Sequence, residues 1–345
     1  MNTRQNVSPG VGDAAPTEEQ SAGNPSGRCL VLHADDFGMN AAVNRGVLAG
    51  FTQGLLTSTA ILSNAPAFPE AISAWSDLLA AQRSGGLPSA ASRALLEETA
   101  QPFELGVHLN LSQGRPLTGA AFPRQFLNTH GQFLGIFQLL PRLVALGSSH
   151  RIAIRDELCA QIERVIEQGV APSHLNGHQY VEMLPVVAGI IPELLDAYGI
   201  GAVRVAWERH LSRTTLLHRF QPTQWCLAQV KRMFAFDFLV RMRRCGASFP
   251  DGYFGTAHAG RIDRDLLDCF LSSCGPGLTE IGVHPGAHGE TAEAADGWHD
   301  PLATLRPLEL DWLTSSALVD SLVRKQFRLG RISGRQPIRA ALEAA

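Results

Sequence analysis

The stretch that decides the fold is residues 29–38, C-L-V-L-H-A-D-D-F-G. Its apolar half is typical of a buried strand, and this run ends at two adjacent carboxylates, Asp35 and Asp36. Like charges repel, and burying them without a partner costs several kcal/mol. A divalent cation removes that cost because it binds one carboxylate and lowers the local potential for the other. The stretch therefore predicts a buried strand with a metal site at its carboxyl end.

The composition around this motif limits the class of protein. The chain has 345 residues, of which 45% are hydrophobic and 18% are charged, enough for one large α/β-barrel domain or two average domains. A net charge of -3 gives no electrostatic reason to expect a nucleic-acid partner. The 6 cysteines form no C-x-x-C pair, which is typical of reduced thiols in a cytoplasmic protein.

Composition also predicts the domain boundaries. No segment approaches the ~20 consecutive apolar residues of a membrane span, so none is expected. Residues 1–27 are rich in Gly, Pro, Ser, Ala and Glu and lack the apolar core of a signal peptide, which predicts a disordered N-terminal tail. We expect residues 28–338 to form a single (β/α)-barrel domain and residues 339–345 to form a C-terminal tail.

Apolar, β-branched runs alternate with helical patterns along the predicted domain. The predicted strands are residues 29–33, 55–62, 104–111, 173–176, 202–206, 279–284 and 327–332. The predicted helices are residues 41–53, 68–80, 152–168, 184–198, 224–243, 263–273 and 308–324. Residues 83–101 and 288–301 are predicted to be loops, the second being either a lid or an ordinary surface loop.

This alternation predicts an α/β fold with parallel strands, closed into an irregular, TIM-barrel-like (β/α) barrel. Six or seven recognisable strands are too few for a full eightfold barrel. An open doubly wound sheet is the alternative. No G-x-G-x-x-G follows the first predicted strand, where a dinucleotide-binding fold would need it.

Polar residues occur in or at the ends of four predicted strands: Asp35 with Asp36, His108, His178 and His284. The carboxyl ends of parallel barrel strands converge on one face, so we expect these side chains to meet. One Asp and two His are a common ligand set for a catalytic divalent cation, and we assign Asp36, His108 and His178 to this set. Asp35 is then the base that deprotonates a water acidified by the metal. His284 is placed to protonate a leaving amine or to stabilise an oxyanion.

The two carboxylates also have a structural alternative. Asp35 and Asp36 could instead cap the helix that begins near Ala41. Asn40 stands closer to that helix and is the better-placed cap.

Four further residues are candidates for contact with substrate, and three of them have a structural alternative. His174 could bind substrate or hydrogen-bond the backbone. Arg204 could hold a sugar hydroxyl or an anionic group, or it could form a structural ion pair. Tyr253 and Phe254 could stack on a sugar ring, although Phe254 could equally be a core residue.

The chain resembles the YdjC/ChbG carbohydrate deacetylases in four ordered motifs. These are residues 34–38 with 43–46 and 56–59, residues 106–111 with 114–117, residues 172–178 with 183–185, and residues 283–286. The resemblance extends over residues 29 to 335. Residues 175–178, 254–255 and 278–281 are similar to the hopanoid-associated HpnK-like branch.

The resemblance implies a barrel-like, metal-dependent enzyme that removes the N-acetyl group from an acetylated amino sugar, on an oligosaccharide or a glycolipid. It places the family's metal ligands on Asp36, His108 and His178 and its catalytic carboxylate on Asp35. The family points to Mg²⁺, whereas the ligand types suit Zn²⁺. The chain departs from the family at Asn176, where many members have Asp, and at Tyr180, where many have His.

The expected partner is therefore an acetylated amino sugar, and a homodimer is a further expectation. Two other functions stay open at this point. One is a metal-dependent esterase or phosphoesterase, for which the sequence offers neither a phosphate-cradling glycine loop nor an arginine cluster. The other is a non-catalytic carbohydrate-binding relative of the deacetylases.

Overall fold

The structure is a computed structural model that describes residues 27–96, 101–208, 222–288 and 296–334. The predicted tails, 1–27 and 339–345, lie outside these residues apart from Gly27. The strands are β1 (Arg28–Phe37), β2 (Ser58–Ile61), β3 (Glu104–Leu109), β4 (His174–Gly177), β5 (Ala202–Val203), β6 (Gly252–Phe254), β7 (Gly277–Val283) and β8 (Phe327–Leu329). The helices are α1 (Ala41–Thr52), α2 (Phe68–Arg83), α3 (Ala90–Leu95), α4 (Ile136–Leu146), α5 (Arg151–Ile166), α6 (Pro185–Ala197), α7 (Pro222–Cys245), α8 (Arg264–Ser273), α9 (Arg306–Leu313) and α10 (Ser316–Arg324).

The strands form one curled parallel sheet. They follow the order β5-β4-β3-β2-β1-β7-β6, and β8 pairs with the first residues of β1. An isolated parallel bridge joins Ala202 of β5 to Ser248, shortly before β6, and so links the two ends of this order. The predicted fold class, an irregular (β/α) barrel with parallel strands, is confirmed.

β1 lies at the centre of the sheet because it is apolar on both faces. Leu30, Val31 and Leu32 are all fully buried, a continuous apolar run that is typical of parallel strands covered on both sides. One edge of β1 pairs with β7, and the other pairs with β8 and then with β2. Polar groups at its carboxyl end are therefore held by neighbours on both edges.

Several local predictions differ from the structure. All seven predicted strands are present, but β6 was missed because it has only three residues. The predicted loop 83–101 contains α3, and the predicted helix 308–324 is two helices, α9 and α10, that meet near Ser315. α4 was also missed, since it contains Pro141, which usually ends a helix.

Asn40 caps α1, as its side chain accepts a hydrogen bond from the backbone N–H of Val43 at 2.9 Å. The two carboxylates of β1 therefore have no capping role at this helix. None of the described helices combines the length and apolarity needed to cross a bilayer. None of the cysteines whose side chains the structure describes is part of a disulfide.

Candidate metal and catalytic site

A bulge at the end of β1 turns both carboxylates toward the same centre. Successive side chains of a regular strand point to opposite faces, but the register between β1 and β2 shifts between Ala34 and Phe37. Within this bulge Asp36 has a φ of 68°, in the left-handed region that non-glycine residues seldom adopt. Such strained positions persist where the surroundings hold them, often at functional sites. The bulge explains how two adjacent aspartates can serve one site.

The structure brings together the three residues predicted as metal ligands. Asp36 Oδ1 lies 2.9 Å from His178 Nδ1 and 3.5 Å from His108 Nε2, and all three side chains are buried. Candidate ligand atoms on the three residues lie within 4.8 Å of one another. His178 Nε2 is also buried, and within the described chain it has no hydrogen-bond partner. A carboxylate and two imidazoles, one of which has a ring nitrogen without a hydrogen-bond partner in the described chain, fit a divalent cation.

Asn176 on β4 connects the predicted ligands to the predicted base. Its Oδ1 lies 2.8 Å from His108 Nδ1, and its amide nitrogen donates to Asp35 Oδ1 at 3.1 Å. Because the amide oxygen only accepts, Nδ1 of His108 donates to it, which leaves Nε2 as the nitrogen that would bind a cation. Partners of this kind fix the tautomer of metal-binding histidines. An amide here fulfils both tasks, whereas a carboxylate would repel Asp35.

Arg204 on the segment after β5 supports Asp35 from inside the barrel. Its guanidinium is fully buried and donates to Glu280 at 2.6 Å, to Asp35 Oδ2 at 2.7 Å and to His33 Nδ1 at 2.7 Å. Burial alone raises the pKa of Asp35, but the Arg204 guanidinium, helped by the imidazoles of His108 and His33, holds that pKa well below its usual range. Asp35 is therefore ionised at neutral pH, as a base must be.

Arg306 at the start of α9 plays the equivalent part for Asp36. It donates to Asp36 Oδ2 at 2.7 Å and to Asp300 at 2.7 Å, and so leaves Asp36 Oδ1 directed toward the two imidazoles. Sequence reasoning missed Arg306 because it lies outside every recognised motif and 270 residues beyond Asp36. No local signal distinguishes it from a surface arginine.

His284 follows β7 directly and lies beside Asp35. Its Nε2 is 3.8 Å from Asp35 Oδ2, and its backbone N–H donates to Glu309 at 2.6 Å. Burial lowers the pKa of His284 to about 4, so the ring is neutral at neutral pH. A neutral imidazole beside a carboxylate can donate a hydrogen bond or accept a proton. The His284 ring therefore carries no positive charge at neutral pH.

A cavity of about 320 Å³ opens above these groups, a volume within the range of small-molecule sites. It is lined by all five residues that were predicted to bind the metal or to catalyse the reaction: Asp35, Asp36, His108, His178 and His284. The walls are largely apolar and include Leu140 of α4 and Phe234 of α7. Lys231 of α7 also lines the cavity, with its ammonium 4.5 Å from the centre of the Tyr180 ring. Sequence reasoning did not identify Lys231.

The four residues predicted to contact substrate are absent from the cavity wall. Arg204 forms the ion pairs described above, and His174 is fully buried, with its Nε2 2.9 Å from His33 Nε2. The Tyr253 hydroxyl bonds that of Tyr180 at 3.1 Å, and Phe254 stacks on Phe270 in the core at 4.6 Å. These side chains are placed behind the site because they fill the interior of the barrel. We therefore propose no direct substrate contact for them, in place of the contacts expected from the sequence.

The fold and the site define a parallel (β/α) barrel with a carboxylate–dihistidine cluster at the carboxyl ends of its strands. The chain belongs to the YdjC-like protein family, whose family profile matches residues 29–324. The resemblance predicted from the motifs is thereby confirmed.

Named relatives and one solved structure agree with this membership. A carbohydrate deacetylase of Mus musculus is 31% identical over 266 residues, which is 76% of this chain and 76% of that protein. One of Homo sapiens is 32% identical over 67% of this chain and 64% of that protein, and one of Geobacillus stearothermophilus is 30% identical over 50% and 57%. A crystal structure from Enterococcus faecalis, described as a cellobiose-phosphate cleavage protein, aligns with 89% of this chain and 98% of that chain at a TM-score of 0.63. At 20% identity, this last match shows the fold alone.

Proposed function

We propose that this protein is a metal-dependent carbohydrate N-deacetylase, which hydrolyses the acetamide of an acetylated amino sugar. The observation that carries the proposal is the buried Asp36–His108–His178 cluster with the ionised Asp35 beside it, at the floor of one cavity. Three relatives that bear the name carbohydrate deacetylase support the same reaction class.

Asp36, His108 and His178 would hold the divalent ion, Mg²⁺ or Zn²⁺. A bound ion supplies Lewis-acid chemistry, since it acidifies water and polarises the acetyl carbonyl. Asp35 takes the proton of the attacking water, and Arg204 keeps Asp35 ionised for that step.

His284, the neighbour of Asp35, completes the reaction. Its lowered pKa makes it a neutral N–H donor at neutral pH. This favours a hydrogen bond from the ring to the developing oxyanion over proton transfer to the leaving amine from an imidazolium that is already protonated before the reaction. At 3.8 Å from Asp35, the ring is also close enough to pass the abstracted proton toward the leaving amine after a small movement.

The chemistry of the cavity walls indicates which class of substrate fits the site. The polar groups are concentrated on the floor, whereas Ile136, Leu140 and Phe234 make the outer part apolar. An amino sugar that carries an apolar group matches this division better than a free oligosaccharide does. We therefore favour a glycolipid substrate. The hopanoid-associated branch, a cytoplasmic location and a homodimer remain predictions.

The test is acetate release from acetylated amino sugars, from free N-acetylglucosamine to oligomers and lipid-linked forms, by wild type and Asp35→Asn. The substitution is isosteric and leaves all three ligands, so we expect metal binding to persist while turnover falls about 10²–10⁴-fold. Asp77→Asn, on the exposed side of α2, is the matched control and should match wild type. Turnover of Asp35→Asn near that of wild type would refute the assignment of the base, and absence of acetate release by metal-loaded wild type would refute the reaction.

A further inference from the structure

The cavity opens between two helices, α4 and α7, that expose apolar residues to solvent. Phe137 of α4 and Val230 of α7 line the cavity and are nevertheless 75% and 45% exposed, so they form its rim. On the same two helices but outside the cavity lining, Val144 of α4 and Met233 and Phe236 of α7 are 64%, 75% and 54% exposed. The mouth of the cavity is thus bordered by exposed apolar residues on the side of α4 and on the side of α7.

These residues form a group and are not scattered. Of the ten large apolar residues that are exposed in the described chain, six lie on α4 and α7. Phe137 and Val144 are two helical turns apart, and Val230 and Met233 are three residues apart, so each pair shares one side of its helix. Isolated exposed apolar residues need no explanation, whereas a grouped set marks an interaction surface.

The same two helices concentrate positive charge. They contain six basic residues against one acidic residue, although the whole chain has a net charge of -3. Five of the basic residues are exposed, namely Arg142, Arg232, Arg241, Arg243 and Arg244, whereas Lys231 lines the cavity. The acidic residue, Asp237, pairs with Arg241 at 2.7 Å. The rim therefore combines exposed apolar side chains with a local excess of positive charge.

We propose that this rim surface, defined by Phe137, Val144, Val230, Met233 and Phe236 with the basic residues of α4 and α7, docks the cavity mouth on an anionic lipid bilayer. Helices with exposed apolar residues and a basic face bind in the headgroup region of membranes. Anionic headgroups attract Lys and Arg within about one Debye length. The proposal concerns binding and does not depend on which reaction the site catalyses.

Two other partners fit the surface less well. If a second copy of the chain paired through the same surface, the two positively charged surfaces would face and repel each other. The phosphates of a nucleic acid would pair with the basic residues, but they would make no favourable contact with exposed Phe, Met and Val. An anionic bilayer complements both the charge and the apolar groups.

The test is cosedimentation of the full chain with vesicles of phosphatidylcholine alone or of equal parts phosphatidylcholine and phosphatidylglycerol. We expect wild type to bind the anionic vesicles at least about tenfold more tightly, and the preference to weaken with added salt. Val144→Ser/Met233→Ser/Phe236→Ser should lower the affinity for anionic vesicles about tenfold. None of these three residues lines the cavity.

The matched control is Ile166→Ser/Leu308→Ser/Val323→Ser, which changes exposed apolar residues on other helices and should bind as wild type does. Arg243→Gln/Arg244→Gln should reduce the preference for anionic vesicles, and this variant decides the matter if the triple rim variant fails to fold. Equal binding of wild type to both vesicle types would overturn the proposal, as would an equal loss in the control. A wild-type dimer that the rim substitutions dissociate, seen by sedimentation velocity, would also overturn it by assigning the surface to self-association.

Discussion

Replacement of Arg204 by lysine tests how the barrel interior prepares the catalytic carboxylate. The guanidinium donates to Glu280 at 2.6 Å and to Asp35 and His33 at 2.7 Å each. A lysine ammonium keeps the charge but cannot span acceptors that are arranged around a planar fork. Arg204→Lys therefore leaves at least one of these buried partners without its donor.

The size of the effect follows from burial. The Arg204 side chain is 0% exposed and that of Asp35 is 6% exposed, so solvent cannot replace the lost contacts. Removal of one partner of a buried ion pair costs about 3–5 kcal/mol, and a buried polar group left unsatisfied costs about 1–3 kcal/mol. Because lysine retains the charge, we expect the free energy of unfolding to fall by about 2–3 kcal/mol.

The loss should depend on pH in a defined direction. The folded-state pKa of Asp35 is depressed, mainly by Arg204 against the opposing effect of burial. Its contribution to stability is therefore present above the unfolded-state pKa and disappears as the pH falls through the folded-state pKa. The difference in stability between wild type and Arg204→Lys should be full at neutral pH and shrink in acid. In catalysis, the acid limb of kcat/KM should move to higher pH, by one unit for each ~1.4 kcal/mol lost at Asp35.

Urea denaturation at a series of pH values and the pH profile of acetate release measure these two effects. Arg151→Lys is the matched control, because Arg151 pairs with Glu193 at the surface and should change stability by less than ~1 kcal/mol. If Arg204→Lys matched this control in stability and in pH profile, the reasoning about Asp35 would be refuted.

Two further substitutions address other parts of the site. Arg306→Gln removes the guanidinium that holds Asp36 Oδ2 at 2.7 Å, so we expect metal affinity to fall about 10–100-fold in competition with a chromogenic chelator. Unchanged affinity would show that Arg306 does not orient Asp36. Burial raises the pKa of Glu182 from 4.5 to about 8, so wild-type stability should fall as the pH rises through this window. Glu182→Gln removes the titrating group. The melting temperature of this variant, taken as a difference from that of wild type, should therefore increase from acid to alkaline pH. If this difference in melting temperature did not change with pH, a pKa of Glu182 raised by burial would be contradicted.

The fold was predictable where the sequence carries a continuous local signal. The apolar run before Asp35 and the strands around His108 and His284 are long enough to be recognised, and the alternation with helices limits the topology. β6 has only three residues and α4 contains a proline, so neither gives a clear periodic pattern. These are the elements for which tertiary packing decides the local structure.

The ligand cluster was predictable for a related reason. Parallel strands deliver their carboxyl ends to one face, so Asp36, His108 and His178 could be grouped without knowledge of the packing. The role of Arg204 was not predictable, because its position near a strand end fits a substrate contact and an internal ion pair equally well. Only the packing shows that its side chain points into the barrel, toward Asp35 and Glu280.

Metal-dependent acetate release tests the central claim most directly. Protein stripped with a chelator should release no acetate, and activity should return in proportion to added Zn²⁺ or Mg²⁺ until one ion is bound per chain. His108→Ala, which lacks one ligand, should neither retain the ion nor recover activity under the same conditions. Full acetate release by stripped protein, or full metal occupancy and activity in His108→Ala, would contradict the account.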